Sequence, residues 1–209
     1  MHKFVRIEVS PLVECCFIVY CPETHEAAVI DAGDEAPRIA AEVQRLGLTP
    51  KILINTHCHV DHVSAVAALQ ELWDLPFYAH ANEDMLLKML IPSQSFYGFG
   101  DGKVPRRDQD LVEGMRVKVG SFEIEVIETP GHTPGGVCLK VENDLFTGDS
   151  LFAGSIGRTD LPGGDYQQLM RSLKDKLMPL DEGLRVHPGH GPSSFIGAEK
   201  ASNPFLAGI

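Results

Sequence analysis

The chain is poor in basic residues. Its 18 Lys and Arg face 29 Asp and Glu, a formal net charge of -11 over 209 residues. That shortfall argues against nucleic acid as a partner, because grip on phosphate needs a Lys/Arg footprint. A small anionic substrate stays open, since it needs only a local basic patch. Cysteines are few and odd in number: Cys15, Cys16, Cys21, Cys58 and Cys138, with no C-x-x-C pair. They read as reduced thiols rather than a disulfide framework. No run of about 18 apolar residues occurs, so no transmembrane helix is expected. Met1 to Ser10 carries scattered charge and lacks the apolar stretch of a signal peptide. Repeats and low-complexity tracts are missing as well. The expectation is a cytoplasmic protein with no membrane partner.

What is present suits one globular unit. Hydrophobic residues make up 44% and charged residues 22%, enough for a sizeable core without disulfides. Apolar, β-branched runs predict strands at Phe4 to Val9, Cys15 to Tyr20 and Ala27 to Ile30, followed by an Asp31-Ala32-Gly33-Asp34 turn. Helical spacing predicts a helix over Glu35 to Leu46, with Ile39, Val43 and Leu46 on one face and Gly47 as its stop. Lys51 to Ile54 is a short strand. Asp61 to Trp73 reads as helix with Val63, Val66, Leu69 and Leu72 on one side. Pro76 to Ala79 is a strand, and Glu83 to Leu90 a helix ending before Pro92. Pro92 to Asp110 reads as a long irregular, functional loop. Strands follow at Arg116 to Val119, Glu123 to Ile127, Gly136 to Val141 and Asp144 to Thr147. Asp165 and Gln168 form a capping box for a helix over Tyr166 to Leu177, and Leu184 to His187 is the last strand. Strands outnumber helices, and helices occur in both halves. That pattern fits an α/β architecture of two packed sheets with helices outside.

The run Thr56-His57-Cys58-His59-Val60-Asp61-His62 follows an apolar strand directly. In an extended segment, residues two apart point the same way, so His57 and His59 can reach one ion. Asp61 and His62, at the start of the next helix, can reach a neighbouring one. Imidazole and carboxylate suit zinc, iron or manganese. A loop of histidines without a metal is the bland alternative, but four metal-capable side chains at this density are costly to place without a use. By the same alternation Cys58 points away and reads as packing. His132, Asp149 and His190 each sit in a Gly/Pro-rich turn after an apolar strand. Alone, each is an ordinary turn residue. Together they lie where loops from a packed sheet converge.

In this order, His57-x-His59-x-Asp61-His62, His132, Asp149 and His190 resemble the metallo-β-lactamase superfamily. The Pro130-Gly131-His132-Thr133-Pro134-Gly135 turn, Thr147-Gly148-Asp149, Gly157-Arg158-Thr159-Asp160 and Pro188-Gly189-His190-Gly191 resemble, more closely, the glyoxalase II-like hydrolases. The Asn203-Pro204-Phe205-Leu206 segment is similar to the short bacterial members of that group. The resemblance implies a four-layer αββα sandwich. It implies two divalent ions, zinc first, with iron and manganese as alternatives. His57, His59 and His132 would bind one metal, and Asp61, His62 and His190 the other, with Asp149 bridging. Full-length glyoxalase II enzymes carry a helical C-terminal extension that supplies glutathione-binding surface. Little chain follows His190, so the expectation is a single domain over 1–209 without that extension.

The chemistry implied is hydrolysis of a small-molecule thioester such as S-lactoylglutathione. A water held as hydroxide between two metals about 3.5–4 Å apart attacks the carbonyl, with Asp61 and Asp149 holding metal and orienting it. Arg158 either braces its own loop through Asp160 or meets a substrate carboxylate. Lys103, Arg106 and Arg107 read as solvated loop charges, and His2, His25, His80 and His187 as residues without a metal role. Three rivals share the ligands. A persulfide dioxygenase needs one iron on His57, His132 and Asp149. A β-lactamase or lactonase uses the same fold, as does an RNA-processing nuclease, which the acidic charge disfavours. A non-catalytic metal-binding module needs a degraded site, and all seven candidate ligands are present. The sequence sets no oligomeric state.

Overall fold

The structure is a computed structural model that describes residues 1–9, 11–99 and 102–207. The first half lays down one six-stranded sheet in chain order: β1 (Lys3–Val9), β2 (Glu14–Tyr20), β3 (Glu26–Ile30), β4 (Thr49–Ile54), β5 (Phe77–His80) and β6 (Arg107–Leu111). The first three strands are antiparallel, and β3 to β6 pair in parallel. Parallel neighbours need crossovers. These are helix α1 (Ala36–Arg45), the pair α2 (Val60–Val63) and α3 (Val66–Trp73), and the pair α4 (Asp84–Lys88) and α5 (Leu90–Tyr97).

The second half builds another six-stranded sheet from β7 (Arg116–Val119), β8 (Phe122–Glu128), β9 (Val137–Val141), β10 (Asp144–Gly148), β13 (Arg185–Pro188) and β14 (Ser194–Phe195). A two-stranded ribbon, β11 (Leu151–Phe152) with β12 (Ser155–Ile156), and helix α6 (Tyr166–Ser172) lie between β10 and β13 in the chain, and helix α7 (Ile196–Ser202) follows β14. Side-chain alternation sorts the core. On β2, Cys16 and Ile18 face the helices of the first half, while Cys15, Phe17 and Val19 face the other sheet. Leu169, Leu173 and Leu177 close the outer face of the second sheet with Ile196 and Leu206. The layers run helix, sheet, sheet, helix, as the resemblance implied. Each fully buried Leu, Ile, Val or Phe contributes about 1.5–3 kcal/mol of transfer free energy.

Several expected boundaries move. The helix over Asp61 to Trp73 is two helices, broken where Ala65 N donates to Ala32 O instead of continuing the ladder. Leu72 is 61% exposed, so it is not on the buried face. Pro92 does not stop a helix: it sits in the first turn of α5, where its missing N–H has no intrahelical partner to lose. The expected irregular segment therefore begins as helix and ends as β6. The helix after Asp165 turns π-helical over Leu173–Leu177. Asp165 accepts from Gln168 N at 2.9 Å, while its own N–H donates to Gly131 O, so only half of the capping box forms. β14 and α7 lie beyond the strand expected to be last. All five cysteines are free and buried. Among the described residues no helix is long and apolar enough to cross a membrane.

Candidate metal centre

Four loops deliver the seven expected side chains to one end of the sandwich. The first leaves β4. Asn55 Nδ2 donates to His57 O (3.0 Å) and His62 O (2.8 Å), folding the loop back on itself. His59 stands just before α2, in extended conformation, and Asp61 and His62 occupy its first turn. His132 sits in the turn between β8 and β9, Asp149 directly follows β10, and His190 follows β13. Close backbone approach holds the last two together: Gly189 N donates to Gly148 O at 2.9 Å. A Cβ on Gly189 would lie 2.5 Å from both Asp149 Oδ1 and His62 Cε1, so only glycine fits there.

The side chains converge in three overlapping groups: His57, His59 and His132; His57, His62 and Asp149; Asp61, His62 and His190. Within each group the donor atoms lie within 4.8 Å of one another. His59 Nδ1 lies 2.9 Å from His132 Nε2, His190 Nε2 3.2 Å from Asp61 Oδ2, and His62 Nε2 3.4 Å from Asp149 Oδ1. Asp149 Oδ2 is 3.6 Å from His132 Nε2 and 3.8 Å from His190 Nε2, which puts this carboxylate between the two sets.

A further tier of residues sets the imidazole tautomers. The Arg158 carbonyl can only accept, so His132 Nδ1 donates to it at 2.6 Å and Nε2 keeps its lone pair for the site. Asp31 accepts from Thr56 N and Thr56 Oγ1, both at 2.7 Å, and from His62 Nδ1 at 3.1 Å. Because the Thr56 hydroxyl proton is committed to Asp31, its oxygen accepts from His57 Nδ1 at 3.1 Å. Three Nε2 atoms are thus left as acceptors. His57 Nε2, His62 Nε2 and Asp149 Oδ1 are buried without a hydrogen bond. Orphaned buried polar atoms are costly, and here they point at one another with the geometry of a ligand set.

The electrostatics fit a cation. Burial, reinforced by neighbouring imidazoles, holds His57 well below the usual histidine pKa and takes His59 down to about 4. Burial also lowers His132, against the pull of Asp149. For His62 and His190, burial opposes charge, but carboxylates outweigh it and raise both: Asp149, Asp31 and Asp61 at His62, and Asp61 and Asp149 at His190. Burial would raise Asp149, yet His62, His132 and His190 hold it well below the carboxylate range. The carboxylates of Asp61 and Asp149 call for positive charge at this site, which a divalent metal would supply.

Asp31, Glu14, Glu83 and Asn55 were not among the expected site residues. Asp31 had a signal, since it follows the apolar Ala27 to Ile30 run as the other acids follow theirs, but it read as a turn former. Glu14 heads an otherwise apolar strand and lies 3.7 Å from His62 Nδ1. Glu83 accepts from Cys58 N (2.7 Å) and Gly135 N (2.8 Å), tying the first loop to the His132 turn. Nothing local marks it. Cys58 packs in the core, as its alternation predicts.

His2, His25, His80 and His187 join no metal-capable group among the described residues. His2 is not without partners, however: it meets Glu142 at 3.1 Å and Asp144 at 2.8 Å, and His187 meets Asp144 at 2.6 Å and Ser193 at 2.8 Å. Arg158 donates twice to Asp160, at 2.8 and 2.7 Å. The expected solvated charges are paired too, Lys103 with Glu71, Arg106 with Asp108 and Arg107 with Asp84.

Residues 13–190 match the family described as the metallo-beta-lactamase superfamily. The chain is 38% identical to hydroxyacylglutathione hydrolase GloC of Haemophilus influenzae, over 97% of this chain and 98% of that one. Among solved structures, BLEG-1 B3 metallo-beta-lactamase superposes with a TM-score of 0.91 at 37% identity, covering 99% of this chain and all of the other (100%). A di-iron-bound form of TTHA1623 gives 0.89 at 40% identity over 97% and 100%. Fold, donor set and a likeness running nearly end to end agree that this chain belongs to the metallo-beta-lactamase superfamily as a metal-dependent hydrolase.

Proposed function

We propose that this chain hydrolyses thioesters, as the name of the hydroxyacylglutathione hydrolase relative suggests, with S-lactoylglutathione as the first substrate to test. The observation that carries the reading is the second donor set. Asp61, His62 and His190 gather as closely as His57, His59 and His132, with Asp149 between. In this reading the two trios hold two divalent ions, zinc or iron, and residues 1–209 form one catalytic domain. Its single-domain character is supported by Ile196 and Leu206, which pack in the same cluster as Leu169 of α6.

Bound in this way, a metal pair supplies an acidified water at neutral pH and an electrophilic contact for a carbonyl oxygen. The chain does the rest. Asp31, Thr56 and the Arg158 carbonyl fix which imidazole nitrogens face the reacting centre. Asp149 and Asp61 stay ionised there and orient the attacking water. A departing thiolate needs no strong general acid, because thiol pKa values lie near about 8.5.

The test is metal content per chain measured together with S-lactoylglutathione turnover, in the native protein and in Asp149→Ala. Near two metals with turnover, both lost in the variant, supports the reading. An Asp149→Ala protein that keeps both removes Asp149 from the site. A persulfide dioxygenase would leave Asp61, His62 and His190 without a task; one iron per chain, no hydrolysis and oxygen uptake with glutathione persulfide would establish it instead. A second hydrolytic reading, opening of a β-lactam, rests on the likeness to BLEG-1 and is tested by turnover of a chromogenic cephalosporin.

A further inference from the structure

The metal-ligating residues occupy only part of their cavity, which encloses about 460 Å³. Beyond them its wall is mainly apolar, built from Leu12, Leu86, Met89, Leu90, Leu161 and Pro162, with Ser93 and Tyr97 as its hydroxyl-bearing members. Leu86 and Leu90 are buried and belong to the core behind the first sheet, so this part of the wall is rigid. Met89, between α4 and α5, is 44% exposed. Among the described residues lining the cavity, Arg158 is the sole Lys or Arg, and its guanidinium is engaged twice by Asp160. A concave apolar wall beside convergent polar groups is the usual form of a small-molecule site.

A thioester has two arms on either side of its carbonyl, and the carbonyl must sit at the donor cluster. A carrier such as glutathione brings two carboxylates and an ammonium, for which the wall offers one cation, already paired. The acyl arm is the one that suits this wall. Building on the thioester reading, we infer that the cavity selects thioesters with an apolar acyl chain of several carbons over short or hydroxylated acyl groups, leaving the polar carrier toward solvent. Each methylene withdrawn from water gains a factor of about four in binding.

The experiment compares kcat/KM for the acetyl, butanoyl, hexanoyl and lactoyl thioesters of glutathione, in the native metal-loaded protein and in Met89→Asp. Calorimetric binding of the ethyl and hexyl thioethers of glutathione, which cannot be hydrolysed, runs alongside. A rise of at least about tenfold from acetyl to hexanoyl, hexanoyl above lactoyl, and loss of most of that rise in Met89→Asp support the assignment. A flat series, or lactoyl as the best substrate, overturns it and leaves the thioester reading standing. If no thioester is cleaved, the proposed reaction falls. Tighter binding of the hexyl than the ethyl thioether then still upholds the apolar cavity, and equal binding overturns it.

Discussion

Asp31 shows how much one side chain decides. Its two oxygens receive three protons, from Thr56 N, Thr56 Oγ1 and His62 Nδ1. Asp31→Asn keeps the shape but replaces one acceptor with an NH2 donor. In either amide orientation a donor then faces a donor. Where it faces His62, the ring must take the other tautomer and turn an N–H toward the site. Metal affinity is expected to fall by about 10–100-fold, read by competition with a chromophoric chelator. Unchanged affinity would mean that Asp31 does not hold the tautomer. The contrast between Asp31 and His57 marks what was legible in the sequence. His57 and His59 are recognisable because alternation on an extended segment is a local rule. Asp31 and Glu83 act on partners 25 residues away, and no periodicity carries that information.

At the scale of elements, the core-facing runs of β2, α1 and α6 follow their side-chain period and were readable. Elements that depend on tertiary contact were not. Pro92 looks like a stop because the sequence does not say which helical turn it will occupy, and β14 with α7 is too short to announce itself. The loops are governed by close approach. A Cβ on Gly157 would lie 1.8 Å from the Asp149 carbonyl oxygen, whereas one on Gly154 meets nothing within 4 Å. Gly154→Ala should therefore cost only left-handed strain, about 1–2 kcal/mol, without loss of metal. Gly157→Ala must displace the backbone of Asp149 and lower both metal content and turnover. Equal behaviour of the two variants would sever Gly157 from the site.

The N-terminal strand offers a pH prediction. Burial disfavours charge on His2, but hydrogen bonds to Asp144 and Glu142 outweigh it and raise its pKa. Burial would raise Asp144, yet bonds from His187, His2 and Arg185 hold it well below the carboxylate range. The raised His2 contributes stability that is complete below its unfolded value of about 6.5 and fades as pH rises through the folded value. The depressed Asp144 contributes above its unfolded value of about 3.9 and fades as pH falls through the folded one. His2→Ala should lower Tm most near pH 5, by about 2–4 °C per kcal/mol lost, and least well above the folded His2 value. A Tm difference that grows with pH would contradict the assignment.

For the molecule as a whole, the donor set is a clasp. The segment from His57 to His62 rides on the first sheet, and His132, Asp149 and His190 ride on the second. A metal bound by both sets would join two layers that otherwise meet through an apolar core and a few hydrogen bonds, such as Cys15 N to Gly189 O and Val137 N to Thr56 O. The three apolar clusters do not include the seven proposed ligand side chains, so the chelated protein should remain folded at 25 °C. On the two-metal reading it should still melt earlier, because metal would bind the assembled seven-residue set far better than the unfolded chain, which keeps only the local His57-x-His59-x-Asp61-His62 cluster. At free metal about a thousand times Kd, binding adds about 4 kcal/mol, which for a chain of this size is about 8–16 °C in Tm. Thermal unfolding with and without a chelator, followed by zinc or iron repletion, measures it. Recovery by repletion in the native protein but not in Asp149→Ala would tie the gain to this centre. No shift on chelation would mean that the clasp does not close on metal, and the two-metal reading would fail with it.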